Sequence, residues 1–165
     1  VFDASKFNPL EDGPMGDFIP PEWTGPHAGK RLAEAFQTLA GVPIKAHGAM
    51  VTAWPDYVRD AADEISDEGE QRQPQRRRFA PAEISHMEEA ISWPSRILGG
   101  VPAQMRIVQL IAIARAFSRD DDELLRRQER LCQRRGWYLP TVLRQNRRGL
   151  QMVAWALNRE GLQPW

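Results

Sequence analysis

Apolar residues in this chain recur at helical spacing, and no segment of any length alternates with strand period. Ala28, Leu32, Ala35, Phe36 and Leu39 mark one face of a first helix. Thr24 is placed to cap it, Pro26 suits its first turn, and Gly41 and Pro43 end it. A second helix is expected from WPDYVRDAADEI, with Pro55 in its first turn and Trp54, Val58, Ala61, Ala62 and Ile65 inward. Pro81 opens a third, with Ile84, Met87, Ile91, Ile97 and Leu98 inward and Gly99 and Gly100 at its end. Pro94 falls inside this pattern and is expected to kink or split it. VPAQMRIVQLIAIARAF follows, apolar on most sides, as a central buried helix would be. Ser118 or Asp120 can cap a fifth helix, and Asp121, Asp122 and Glu123 in its first turn complement the helix dipole. It runs to Gly136, and a sixth helix runs from near Pro140 to about Glu160. The expectation is an all-α chain of about six helices. An extended arm spans residues 1–23, an N-terminal helical hairpin 24–68, a linker 69–80 and a C-terminal helical domain 81–165. Trp54, Trp93, Trp137 and Trp155 sit in helical patterns and are expected in the core, whereas Trp23 and Trp165 are expected to be exposed.

Composition narrows the class. Apolar residues make up 42% and charged residues 27% of 165, which fits a soluble globular protein, and no apolar run could span a bilayer. The start carries no secretory signal pattern, and Cys132 is the lone cysteine, so a reducing cytoplasm is the expected setting.

Charge changes the picture more. The formal net charge is zero, yet residues 1–70 hold 13 acids and 5 bases, and residues 71–165 hold 9 acids and 17 bases. Within 124–165 there are 9 arginines against Glu129 and Glu160. Every base after Lys45 is arginine, whose planar fork matches phosphate and base edges as lysine cannot. A polyanion partner and a merely solvated helix face both account for this composition. Arg76, Arg77 and Arg78 in the linker are candidates for phosphate contact, and a solubilising linker explains them as well. The acidic run Asp60, Asp63, Glu64, Asp67, Glu68 and Glu70 reads as a solvated face or as a docking surface for a basic partner.

The stretch CQRRGWYLPTVLRQNRRGLQMVAWALN carries the candidate site. In a helix-turn-helix the first helix needs a small residue where the second crosses it. The turn then needs a residue tolerant of positive φ, and an aliphatic residue further on plugs the core. Cys132, Gly136 and Val142 occupy those slots, within about 120–160. Thr141, Arg144, Gln145 and Arg148 then share one outward stripe, with Arg and Gln able to read guanine and adenine edges. Arg134, Arg135 and Arg147 are placed for phosphate. Tyr138 and Leu139 are expected to be exposed, in reach of thymine methyls or a protein partner. Leu150, Val153, Ala154 and Leu157 are expected to anchor the far half of the helix, with Gly149 costing about 1 kcal/mol against Ala in between.

Catalytic chemistry finds little support. His27, His47 and His86 are scattered, and none pairs with a second ligand at metal spacing. Glu88 and Glu89 are adjacent and diverge on a helix, and no phosphate-cradling glycine loop is present. Cys132 reads as a packing residue rather than a nucleophile. The chain is expected to be no enzyme and to hold neither metal nor cofactor.

Four pieces, in order, resemble a helix-turn-helix family of bacterial prophages and gene transfer agents. They are WTGPHAGKRLAEAFQTL, WPDYVRDAADE, APAEISHMEEAISW and RLCQRRGWYLPTVLRQNRRGLQMVAWALN, and the resemblance covers about residues 23–160. It implies a transcriptional regulator of phage-like genes with sigma-factor-like last helices. Such a protein would bind double-stranded DNA and act with RNA polymerase as an activator or antiterminator. Departures from the family pattern are Pro94 and the bulky turn at Tyr138, Leu139 and Pro140. A small-terminase-like packaging component is the alternative.

Overall fold

A computed structural model describes residues 18–42, Val58, Glu64 and 78–165. Among the described residues there are five helices and no strand: α1 (Gly25–Gly41), α2 (Pro81–Leu98), α3 (Pro102–Ala116), α4 (Asp121–Arg135) and α5 (Leu139–Arg159). The second helix expected near residues 54–65 lies outside the described residues except for Val58 and Glu64, both helical, with Val58 buried in the core. None of the described helices is long and apolar enough to cross a membrane.

Each boundary follows from local chemistry. The Thr24 hydroxyl accepts from the His27 backbone N–H at 3.3 Å and closes the start of α1. The Asp120 carboxylate does the same for α4, accepting from Glu123 N–H at 2.7 Å. Asp120, not Ser118, is therefore the cap; the Ser118 hydroxyl donates to Ala114 O at 2.7 Å. At the start of α2 the Glu83 carboxylate reaches back to Ala80 N–H at 2.7 Å. Pro94 does not end α2, which continues to Leu98 with Pro94 buried. A proline inside a helix removes one backbone hydrogen bond, and here the surrounding packing holds the helix through it.

The expected separation between an N-terminal hairpin and a C-terminal domain does not describe α1. Ala28, Leu32, Ala35, Phe36 and Leu39 of α1 belong to the same core as Trp93, Leu110, Ile113, Leu131, Val153 and Leu157. The reason is the size of the apolar face. Leu32 and Phe36 are fully buried against helices from the other half of the chain, and burying such a side chain is worth about 1.5–3 kcal/mol. The divide in charge is thus not a divide in packing.

α3 touches all four other helices and is buried nearly all round, from Val108 through Ala114. α5 also touches all four, but buries only one side. Two glycine contacts let it sit close. A Cβ on Gly149 would lie 2.6 Å from Val108 Cγ2, so α5 meets α3 backbone-first there. A Cβ on Gly29 would lie 2.8 Å from Leu150 Cδ1, so α1 closes on α5 from another side. The Gln104 amide, buried between α3 and α5, donates to Gln145 O at 3.1 Å.

An aromatic nest joins the two ends of this bundle. Trp23, expected to be exposed, is buried. Its ring meets Trp93 edge-on at 5.1 Å and Trp165 edge-on at 4.9 Å, and its indole N–H donates to Leu162 O at 3.0 Å. The Asn158 side chain accepts from Trp23 N–H at 2.8 Å and donates to Trp23 O at 2.9 Å. The segment before α1, the end of the expected arm, is thereby fixed to the end of α5; Phe18 and Ile19 just before it are exposed. Trp165 is half-buried, its ring stacked on His86 at 4.3 Å.

Candidate nucleic-acid interface

α4 ends in a left-handed turn. Gly136 has φ 67° and ψ 30°, a conformation that a β-carbon disfavours. Trp137 N–H donates back to Cys132 O at 2.8 Å and Gly136 N–H to Gln133 O at 3.4 Å, the double bond of a Schellman cap. Tyr138 starts α5, its carbonyl accepting from both Thr141 and Val142 N–H. Cys132 and Val142 are buried on either side of this turn. Cys132 and Val142 are thus core residues, and Gly136 is the left-handed turn between them. Burial raises the Cys132 thiol above its ordinary value, which suits packing and disfavours a thiolate.

The stripe on α5 is largely as expected in its first half. Thr141, Arg144 and Arg148 are exposed on one side, and Arg147 is exposed beside them. No ion pair engages Arg144, Arg147 or Arg148 among the described residues. Gln145 departs from the stripe: it is half-buried, and its backbone carbonyl is taken by Gln104. Tyr138 is 72% exposed, while Leu139, expected to be exposed, packs against the core. Arg78 is exposed in the segment before α2; Arg76 and Arg77 lie outside the described residues.

Arg134 and Arg135 are placed differently from the arginines of α5. Arg135 grips the Glu64 carboxylate with both prongs, Nε to Oε1 at 2.5 Å and Nη2 to Oε2 at 2.7 Å. Arg134 donates to the Glu64 backbone carbonyl. The Arg135 guanidinium also lies 5.0 Å from the Trp137 ring centroid. Spacing could not reveal this, because Glu64 is 71 residues away in sequence.

The far half of α5 buries Val153, Ala154 and Leu157 as expected, but Trp155 is not in the core. It is 62% exposed, with Met152 also exposed and the Arg159 guanidinium 5.4 Å from its ring. The helical period held the clue: Arg144, Arg148, Trp155 and Arg159 follow one another at three- to four-residue steps or their sum, so they share a face. Residue type points Trp155 to the core, but its register sets it on the exposed face.

His27 and His86 hold structural contacts. His27 Nε2 lies 2.9 Å from Trp165 O, and burial lowers its pKa from the ordinary histidine value. Among the described residues no cluster of His, Cys, Asp and Glu is arranged to hold a metal ion. No protein-family model, curated protein or solved structure matches this chain.

Proposed function

We propose that this chain is a DNA-binding transcriptional regulator of the prophage and gene transfer agent type, with α4, the Gly136 turn and α5 acting as a helix-turn-helix. One observation carries the reading. Arg144, Arg147 and Arg148 project, with no ion pair among the described residues, from the first half of a helix whose second half is locked in the core. Rigid presentation of several guanidinium forks from one helix end suits a major groove, where phosphates fix register and base edges give sequence. The first turn of α5 carries no acidic residue and no side-chain cap, so nothing there repels an approaching phosphate.

The test is a mobility shift on duplex DNA across a salt series. Arg144→Ala and Arg148→Ala are expected to weaken binding, and each lost phosphate contact lowers the slope of log affinity against log salt by about 0.9. Unchanged affinity and slope in both variants would remove the reading.

The exposed Trp155 and Met152 favour a second role on the same helix, docking RNA polymerase as an activator or antiterminator. Trp155 lies about 10 Å beyond Arg148 along α5 at 1.5 Å per residue, past the end that would enter a groove. An indole flanked by arginine is the kind of anchor protein interfaces concentrate. Trp155→Ala is expected to abolish co-purification with polymerase and to leave duplex binding intact. Retained co-purification would reject this role and leave plain promoter binding.

A further inference from the structure

The carboxylate of Glu64 sits where the duplex reading puts a phosphate. A carboxylate taken by the Nε and Nη2 of one guanidinium is the same planar, two-pronged arrangement that arginine makes with phosphate. At Arg135 that fork is closed on Glu64, and the neighbouring Arg134 is committed to the main chain of the same residue. The contact ties the acidic half of the chain to the basic half. Glu64 belongs to the acidic run that also contains Asp60, Asp63, Asp67, Glu68 and Glu70 in sequence. The arginines of α5 carry no such partner among the described residues. The interface therefore has an open side on α5 and a closed side at the end of α4.

We propose that Glu64 is a built-in competitor for the DNA backbone. Its carboxylate occupies the Arg134–Arg135 corner, and a duplex engages that corner only by displacing it. This rests on the duplex reading above. The contact lowers affinity for any duplex and spares sequence discrimination, because phosphates and not base edges are what Glu64 imitates. Its size is bounded by the worth of a partly exposed ion pair, which converts to about a two- to fivefold change in affinity.

The experiment measures fluorescence anisotropy of a non-specific duplex of about two helical turns. It uses the unmodified chain, Glu64→Gln, the pair Arg134→Ala/Arg135→Ala, and all three substitutions together. Glu64→Gln is expected to bind about two- to fivefold more tightly than the unmodified chain, with a steeper salt dependence. In the arginine-deleted background the same substitution is expected to bring no gain. A gain that persists there would mean a general charge effect and overturn the proposal. No gain from Glu64→Gln while Arg144→Ala still weakens binding overturns the competitor and leaves the duplex reading standing. No binding by any variant overturns both. A second readout needs no variant: the Arg135 Nε–H resonance is expected to shift on duplex addition as its acceptor changes. A resonance unmoved at saturation overturns the displacement.

Discussion

α4 and α5 both carry runs of arginine, and the structure puts them to opposite uses. On α4, Arg127 is 1% exposed and donates to Glu123 at 2.6 Å, and Arg134 and Arg135 are bound to Glu64. On α5, Arg144, Arg147 and Arg148 stand in solvent with no ion pair among the described residues. Residue type is the same, so the difference comes from what each helix packs against. α5 is wedged among four helices along its glycine side and leaves its polar side open. Among the five described helices α4 packs on α3 and α5 alone, and its charged residues supply part of what holds it. Arginine count therefore does not measure an interface; the fraction of guanidinium groups left without a protein acceptor does.

The largest test of this contrast is Arg127→Ala. Arg127 is buried and Glu123 only partly so, and losing this charged hydrogen bond is expected to cost about 1.5–3 kcal/mol, read as a lower urea midpoint at unchanged m-value. A loss within about 0.5 kcal/mol would class Arg127 with the arginines of α5. Gly149→Ala comes next. Alanine favours a helix by about 1 kcal/mol over glycine, but its Cβ would meet Val108 Cγ2 at 2.6 Å. Valine is stiff at χ1 and overpacking costs about 1–3 kcal/mol, so a net destabilisation of about 1 kcal/mol is expected by thermal melt. A stabilised variant would show that α5 is not held by close approach to α3. Arg144→Ala and Arg148→Ala should each leave stability within about 0.5 kcal/mol of the unmodified chain even as duplex affinity falls.

The smallest expected effect is the pH dependence contributed by Glu123. Its carboxyl is held below the ordinary glutamate range, first by the Arg119 backbone N–H donating at 2.9 Å and then by the Arg127 guanidinium. A folded-state value below the unfolded one means that the unfolded chain binds the proton more readily. Stability from this group is therefore full above the ordinary glutamate value and lost as pH falls through the depressed one. Acid unfolding of Arg127→Ala should show a shallower loss over that window than the unmodified chain, because one of the two causes is gone. An identical acid limb would assign the whole effect to the Arg119 backbone.

Much of this fold was legible beforehand, and the failures have particular causes. The caps at Thr24 and Asp120 and the turn at Gly136 were readable because each acts within a few residues of itself. The arginine stripe on α5 was readable because helical period fixes which residues share a face. Pro94 does not split α2, because packing outweighs one missing hydrogen bond. Trp155 misled because residue type was weighed above register, and Trp23 because its partners, Asn158 and Leu162, come from the other end of the chain.

Sequence alone determined the helical class, most helix boundaries and the side of α5 that carries guanidinium groups, since those depend on local hydrogen bonds and a 3.6-residue period. Tertiary structure decided which arginines are spent on carboxylates and which remain open. It also decided that α1 shares a core with helices of opposite charge balance. Both outcomes turn on groups 70 or more residues apart, such as Arg134 with Glu64 and Trp23 with Asn158, brought together by packing that no local pattern encodes.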